Sequence, residues 1–385
     1  MISSSTSYVL NNARLVLADR TISCGWLAVT DGKIVEIAEG PAPETGYDLD
    51  GDLLLPGLVE LHTDHLEAHY TPRPKVHWDP IAAVVSFDGQ LATSGITTVL
   101  DSLRVWSEEG MEEVDGQAMT LAHAIAQARE TGLLRVDHFL HLRCEVPMPA
   151  VVAEANELIG RPDVRLASLM DHTPGQRQFR NESKLRDYYR GKKGGLTDSQ
   201  LDLLFAKRIE NQRKHAADNY RQLVELARSH ETPLASHDDT TLEHVAQAIQ
   251  DRVSIAEFPT TVEAAEALHG GGIRVLMGAP NLVRGGSHAG NVATADLAKA
   301  GLLDVLSSDY MPASLLIAAI RLPEVVPEIG LAAAVRMVSK TPAEAVGLDD
   351  RGEIAVGKRA DLIRVRVASN VPIVRAAWRC GNRVA

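Results

Sequence analysis

The run Leu55-Pro56-Gly57-Leu58-Val59-Glu60-Leu61-His62-Thr63-Asp64-His65 follows an apolar stretch and packs two imidazoles and two carboxylates into its last six residues. Side chains alternate faces along a strand, so Glu60, His62 and Asp64 are expected on one side and Leu61 and Thr63 on the other. A histidine and a carboxylate at i and i+2 on a strand end make a two-ligand clamp for a divalent metal. A strand entering a polar loop beside a hydrogen-bonded histidine has the same composition. Similar groups recur down the chain: His141, Arg143 and Glu145; Asp171 and His172; His237, Asp238 and Asp239; Glu257; Asn281, Arg284 and His288; and Asp309. Singly, each reads as a cap or a satisfied polar group. Together they are the ingredients of metal-assisted hydrolysis. Histidines and carboxylates hold Zn²⁺, Mn²⁺ or Fe²⁺, bound metal makes water a usable nucleophile at neutral pH, and a remaining carboxylate takes its proton. Asp309, in Leu306-Ser307-Ser308-Asp309-Tyr310, is placed for that last role.

These groups need a scaffold that brings distant positions to one rim. From residue 57 the chain alternates strand, loop and helix, with strands expected at 57–62, 96–101, 135–143, 165–170, 233–236, 253–258, 273–277 and 303–307. Thr197-Asp198-Ser199-Gln200 and Thr260-Thr261-Val262-Glu263 read as capping boxes, and Gly95, Gly132 and Gly301 stand where helices stop. Eight strands alternating with helices point to a (β/α)8 barrel of the TIM type, in which strand ends build the site. Before it, residues 8–55 hold short strands with Asp31-Gly32 as a hairpin turn, and after it the chain returns to β near Gly352-Glu353-Ile354 and 360–365. The expected organisation is therefore 1–55 and 349–385 as one small flanking β-sandwich, with 56–348 as the barrel. Residues 173–232 interrupt the rhythm. They carry Arg177, Arg180, Lys184, Arg186, Arg190, Lys192 and Lys193, then a helix over 198–229 with Leu201, Leu204, Phe205 and Ile209 on its apolar face. This excursion is either a basic lid for an anionic substrate or a solvated insertion.

Composition narrows the classes. Of 385 residues, 45% are apolar and 23% charged, ordinary for a globular enzyme, and the net charge of −12 argues against a general nucleic-acid binder. No apolar run approaches the roughly 18–20 residues that span a bilayer. Met1–Asn12 lacks the pattern of a signal peptide, and Cys24, Cys144 and Cys380 fit a reducing cytoplasm better than a disulfide framework. Self-association is left open.

Pro56-Gly57-Leu58-Val59-Glu60-Leu61-His62-Thr63-Asp64, the terminal Ser308-Asp309, and the run Gly352 to Leu362 resemble the amidohydrolase superfamily. Four runs narrow the likeness: 61–76, 168–179, 235–239 and 276–292. They are similar to the α-D-ribose 1-methylphosphonate 5-triphosphate diphosphatases of the C–P lyase route of phosphonate use. The resemblance implies a metal-dependent barrel that releases pyrophosphate from a phosphorylated ribose and leaves the 5-phosphate. Independently, a triphosphate calls for guanidinium and ammonium donors, and Arg73, Lys75, Arg143, Arg177 and Arg284, with His288, fall in expected rim loops.

The superfamily's ligand set does not transfer whole. Its usual His-x-His on strand one is here His62-x-Asp64, strand four ends Met170-Asp171-His172 without the bridging lysine, and strand six ends in Glu257. The expected ligands are His62, Asp64, Glu145, His172, His237 and Asp309, holding one or two ions with Glu145 as the bridge, and His237 and Asp309 as the catalytic pair. Zinc is the expected metal, with manganese and iron as alternatives. Other chemistries remain open on the same barrel: hydrolysis of a cyclic amide or imide, a deaminase, or a non-catalytic scaffold.

Overall fold

The computed structural model describes residues 7–73, 75–107, 116–179, 183, 185–186, 197–287 and 290–385. The chain begins as antiparallel β1 (Ser7–Val16), β2 (Thr21–Thr30) and β3 (Lys33–Glu39), then β4 (Tyr47–Asp48) and β5 (Leu53–Pro56). It ends as β14 (Leu362–Ala368), β15 (Val371–Arg379) and β16 (Asn382–Arg383). The two ends join where β14 pairs antiparallel with β5, so that β16-β15-β14-β5-β1-β2-β3 run as one mixed sheet, with β4 on β1. Its own core includes Leu15, Leu27 and Ile34 from the first arm and Leu362 and Trp378 from the second. Neither arm buries that face alone, which is why the unit needs both chain ends.

Between them, β6 (Leu58–Thr63), β7 (Ile96–Val105), β8 (Asp137–Glu145), β9 (Val164–Met170), β10 (Leu234–His237), β11 (Ile255–Glu257), β12 (Arg274–Gly278) and β13 (Val305–Ser307) pair in parallel and in order. The two sheets are separated by Gly57 alone, where a Cβ would run into the Thr97 side chain. Helices such as Pro80–Thr93, Gln117–Glu130 and Ser314–Val325 cover the outside, their buried faces merging into one large apolar cluster. Val59, Leu61, Leu100, Leu166, Ile255, Leu276 and Val305 fill the interior, plugged from below by Ala343, Val346 and Leu348. The barrel closes by hydrogen bonds. The Asp309 amide donates to the His62 carbonyl at 3.0 Å, and lower down Leu306 and Val59 donate to the carbonyls of Met337 and Val338. Among the described residues no helix is long and apolar enough to cross a membrane.

Asp137, at the lower end of β8, ties the barrel to the terminal sheet. It pairs with Arg351 at 2.7 Å, Arg359 at 2.8 Å and Arg379 at 3.4 Å, and these arginines hold its carboxyl below the usual range against the opposing effect of burial.

Four local expectations need adjustment. Gly352-Glu353-Ile354, expected as strand, is irregular, and the chain returns to β only at β14. The Thr197 capping box is present, but the later helix is capped by Thr261, one residue on from the expected Thr260. The helix over 198–229 is interrupted by a π turn at Gln212–Ala216. β7 runs on to Val105 rather than stopping at Asp101. Of the excursion's basic residues, Arg180, Lys184, Arg190, Lys192 and Lys193 lie outside the described residues, as does His288.

Candidate active site

The upper strand ends surround a cavity of about 800 Å³. His62, Asp64, Glu145, His172, His237 and Asp309 all line it, joined by Arg143 and Arg284. Arg73 and Lys75 are exposed and outside the lining. Arg177 also stays out of it. Its guanidinium donates to the His237 carbonyl at 2.6 Å and to Asp239 at 2.9 Å, which fixes the end of β10 from outside.

The first strand departs from simple alternation. Leu61 follows Val59 into the barrel interior as alternation requires, but a register shift lies between Glu60 and Thr63, and the adjacent His62 reaches the cavity as well. Glu60 does not follow His62. Its carboxylate accepts from the amides of His62 at 2.8 Å and Ser308 at 2.6 Å, stapling β6 to the end of β13, and burial pushes it up to about 7. A bulge of this kind re-aims a side chain at a barrel rim.

The floor of the site is a buried polar chain. Glu257 pairs with Nδ1 of His62 at 2.9 Å and accepts from the Ser168 hydroxyl at 2.5 Å; Ser168 in turn contacts Nε2 of His141, whose Nδ1 faces the Leu61 carbonyl at 2.9 Å. Holding Nδ1 of His62 leaves Nε2 as its outward ligand atom. Burial outweighs Glu257 and keeps the His62 pKa below its ordinary value, which favours the neutral, ligating form. Burial likewise drives His141 down to about 3. Burial opposes the charge of Glu257, yet the imidazoles of His62 and His141 hold its carboxyl well below the usual range.

On the other wall, Glu145 takes both the amide of His172 at 2.7 Å and its Nδ1 at 2.6 Å. Burial disfavours the Glu145 charge, but His172 overrides it and brings the carboxyl down to about 2. Asp238 lies 2.8 Å from Nδ1 of His237 and 3.7 Å from Nε2 of His172. Asp309 lies half-buried beside Asp64, and desolvation first, that carboxylate second, push it up to about 7. Asp238, Phe258 and Asp309, each just past a strand end, all have φ in the left-handed region, at 56°, 56° and 53°. That conformation is costly for side chains like these, above all for a bulky Phe, and such strain gathers at functional sites. It turns Phe258 so that its ring meets His62 and His237 edge-on at 5.0 and 5.3 Å.

The donor set fits a divalent metal. Ligand atoms of His172, His237 and Asp238 lie within 4.8 Å of one another, as do those of His62, His237 and Glu257. These spans are close to what bonds of ~2.0–2.3 Å around an ion require, and the two groups share His237. Asp64 instead accepts from Arg143 at 3.1 Å, and Glu145 holds His172, so neither carboxylate belongs to these two clusters. Glu257 and Asp238 stand on the expected rim but outside the expected ligand set. Arg104 was missed altogether because it lies beyond the expected end of its strand.

A profile of the amidohydrolase family matches residues 89–370. The chain is 46% identical over 380 residues to the alpha-D-ribose 1-methylphosphonate 5-triphosphate diphosphatase of Escherichia coli (strain K12), covering 98% of this chain and 100% of that one. Among solved structures, 5-methylcytosine deaminase from Klebsiella pneumoniae superimposes with a TM-score of 0.66 at 15% identity, covering 98% of this chain and 97% of that one. N-acetyl-D-glucosamine-6-phosphate deacetylase from Mycobacterium smegmatis gives 0.62 at 16%, covering 98% and 100%. At such identities these two speak for the fold alone. The flanked (β/α)8 barrel, the family profile and the full-length relative agree: the chain belongs to the amidohydrolase family.

Proposed function

We propose that the protein hydrolyses α-D-ribose 1-methylphosphonate 5-triphosphate to the 5-phosphate and diphosphate, using a divalent metal at the floor of the cavity. The observation that carries this is the 46% identity along the whole chain to an enzyme of that name. The geometry supports it by placing Arg143 and Arg284 in the same cavity as two histidine–carboxylate clusters.

His62, His172 and His237, with carboxylates drawn from Asp238, Glu257, Asp64, Glu145 and Asp309, would hold the ion; zinc suits them, and manganese or iron are the alternatives. When bound, such an ion supplies Lewis acidity toward water and the phosphoryl oxygens. The bond that breaks is the anhydride between the first and second phosphoryl groups, and water provides the oxygen that replaces it. Asp309, on the cavity wall just past β13, accepts the proton that water gives up. Arg143 and Arg284 neutralise charge on the triphosphate as the diphosphate departs. The segment boundaries 1–55, 56–348 and 349–385, a covering role for 173–232 and a cytoplasmic location, with which three free cysteines agree, belong to the same proposal.

The test is an assay of metal-loaded protein and chelator-treated protein against this triphosphate and a panel of cyclic amides and aminopyrimidines. Pyrophosphate from the loaded protein alone supports the proposal. Turnover confined to an amide or amine would replace it with a deaminase or amidase, and a protein that takes up no metal would point to a scaffold.

A further inference from the structure

β7 extends past the point where its sequence suggests an end, and the extension sets Arg104 directly beside Arg143 of β8 in the parallel register. Neighbouring strands lie roughly 4.8 Å apart, so the two side chains rise into the cavity next to one another, and both line it. Each is paired to an acid in or just past the loop after β6: Arg143 to Asp64 at 3.1 Å, Arg104 to Glu67 at 2.6 Å. Arg104 is also laid over the Trp106 ring at 4.9 Å, which holds its plane.

Two adjacent guanidiniums, one buried and one half-buried, repel unless anions sit with them. Each has five N–H donors, and one carboxylate each does not use them. The Nε atoms of both arginines are buried without a hydrogen-bond partner. The protein's own groups thus leave this pair short of acceptors in a water-shielded wall. Arg284 reaches the cavity from the end of the helix Ala279–Arg284 after β12, on the far side of the barrel, so an anionic chain between the walls would be gripped from both.

We propose that Arg104 and Arg143 form a paired-guanidinium site for successive phosphoryl groups, with Arg104 the residue that selects a polyphosphate over a single phosphate. This rests on the triphosphate reading above. Glu67 occupies Arg104 in the absence of substrate and competes with the incoming phosphate oxygens. Arg104 is a binding residue, so its loss shows in substrate affinity more than in turnover.

The experiment uses the full chain as wild type, R104A, R104K and E67Q, titrated by calorimetry with inorganic tripolyphosphate and with inorganic phosphate, and assayed for pyrophosphate release. R104A is expected to weaken tripolyphosphate binding and raise KM by about 10- to 100-fold, the range of lost charge-assisted hydrogen bonds, while affinity for phosphate moves far less. R104K, which keeps charge and stem but not the fork, falls between and serves if R104A does not fold. E67Q is expected to tighten tripolyphosphate binding. If R104A and E67Q weaken binding alike and lower the melting temperature together, Arg104 is only half of a structural ion pair and the inference is overturned. Unchanged tripolyphosphate affinity in R104A overturns it as well. A wild type that binds tripolyphosphate through Arg104 yet releases no pyrophosphate keeps the anion site and removes the triphosphate-ester reading instead.

Discussion

Replacing Glu257 by Gln removes one charge and one acceptor from the floor of the site with little change in volume. Both oxygens are in use, one against Nδ1 of His62 at 2.9 Å and the other taking the Ser168 hydroxyl at 2.5 Å. A glutamine has one carbonyl oxygen, so it satisfies His62 or Ser168 but not both, and its NH₂ then faces a group that expected an acceptor. Losing one buried bond to a charged group costs about 1.5–3 kcal/mol, and the fully buried position offers no water in compensation. The effect on metal follows from geometry. Glu257 fixes which nitrogen of His62 faces the cavity, and removing an outer partner of a ligand histidine typically lowers metal affinity about 10- to 100-fold. The assay pairs chemical denaturation of the metal-free protein with a zinc competition titration against a chromogenic chelator. The expected result is a moderately destabilised protein that binds zinc within that weaker range. Native-like affinity and stability together would refute the positioning role. A collapse of affinity by about 10⁴-fold or more would show instead that Glu257 ligates the ion directly, as its place in a cluster with His62 and His237 allows.

Asp309→Asn keeps size but loses the proton acceptor, and kcat measured at saturating zinc should fall by about 10²- to 10⁴-fold; a loss below about fivefold removes Asp309 from the proton-accepting role. Asp137→Asn strips the shared partner of Arg351, Arg359 and Arg379 and should cost about 2–3 kcal/mol in urea unfolding, whereas an unchanged midpoint would show that the clasp contributes nothing net. Because the Asp137 carboxyl is held below its ordinary value, its stabilisation is present above the unfolded pKa and is lost as pH falls through the folded one, so the mutant's deficit should shrink in acid. His138 behaves oppositely. Burial works against its charge, but Asp101 at 2.8 Å, with Asp88 at 3.4 Å, holds it up to about 9. That stabilisation is complete below about 6.5 and fades as pH rises through about 9, worth at most ~3 kcal/mol. Wild type should therefore lose stability over that interval more steeply than His138→Gln, and parallel curves would contradict the assignment.

Much of this arrangement is legible in the sequence because barrel strands announce themselves twice, by an apolar run and by the polar residues at its end. All eight strands lie where the rhythm puts them, and Asp31-Gly32 does turn β2 into β3, with positive φ at both residues. What escapes is local geometry. Alternation predicts Glu60 beside His62, but the shift between Glu60 and Thr63 sends the carboxylate to the Ser308 amide, and no propensity encodes a bulge that long-range pairing imposes. Asp101 and Ser102 look like the end of a strand because both are poor strand formers. In the fold Asp101 meets His138 and Ser102 meets His141, so burial with a partner overrides propensity and carries Arg104 into the site. Loop arginines were the least legible: Arg284 reaches the cavity, Arg177 braces a strand end from behind, and Arg73 stays outside.

The proposed reaction cleaves a ribosyl triphosphate between its first and second phosphoryl groups. Phosphorus-31 NMR of the zinc-loaded protein with α-D-ribose 1-methylphosphonate 5-triphosphate reads that bond directly. The expected spectrum shows pyrophosphate and a 5-phosphate ester appearing together in equal amounts, with the methylphosphonate signal intact. Inorganic phosphate with a 5-diphosphate, or an unaltered triphosphate beside a competent metal-loaded protein, would contradict it.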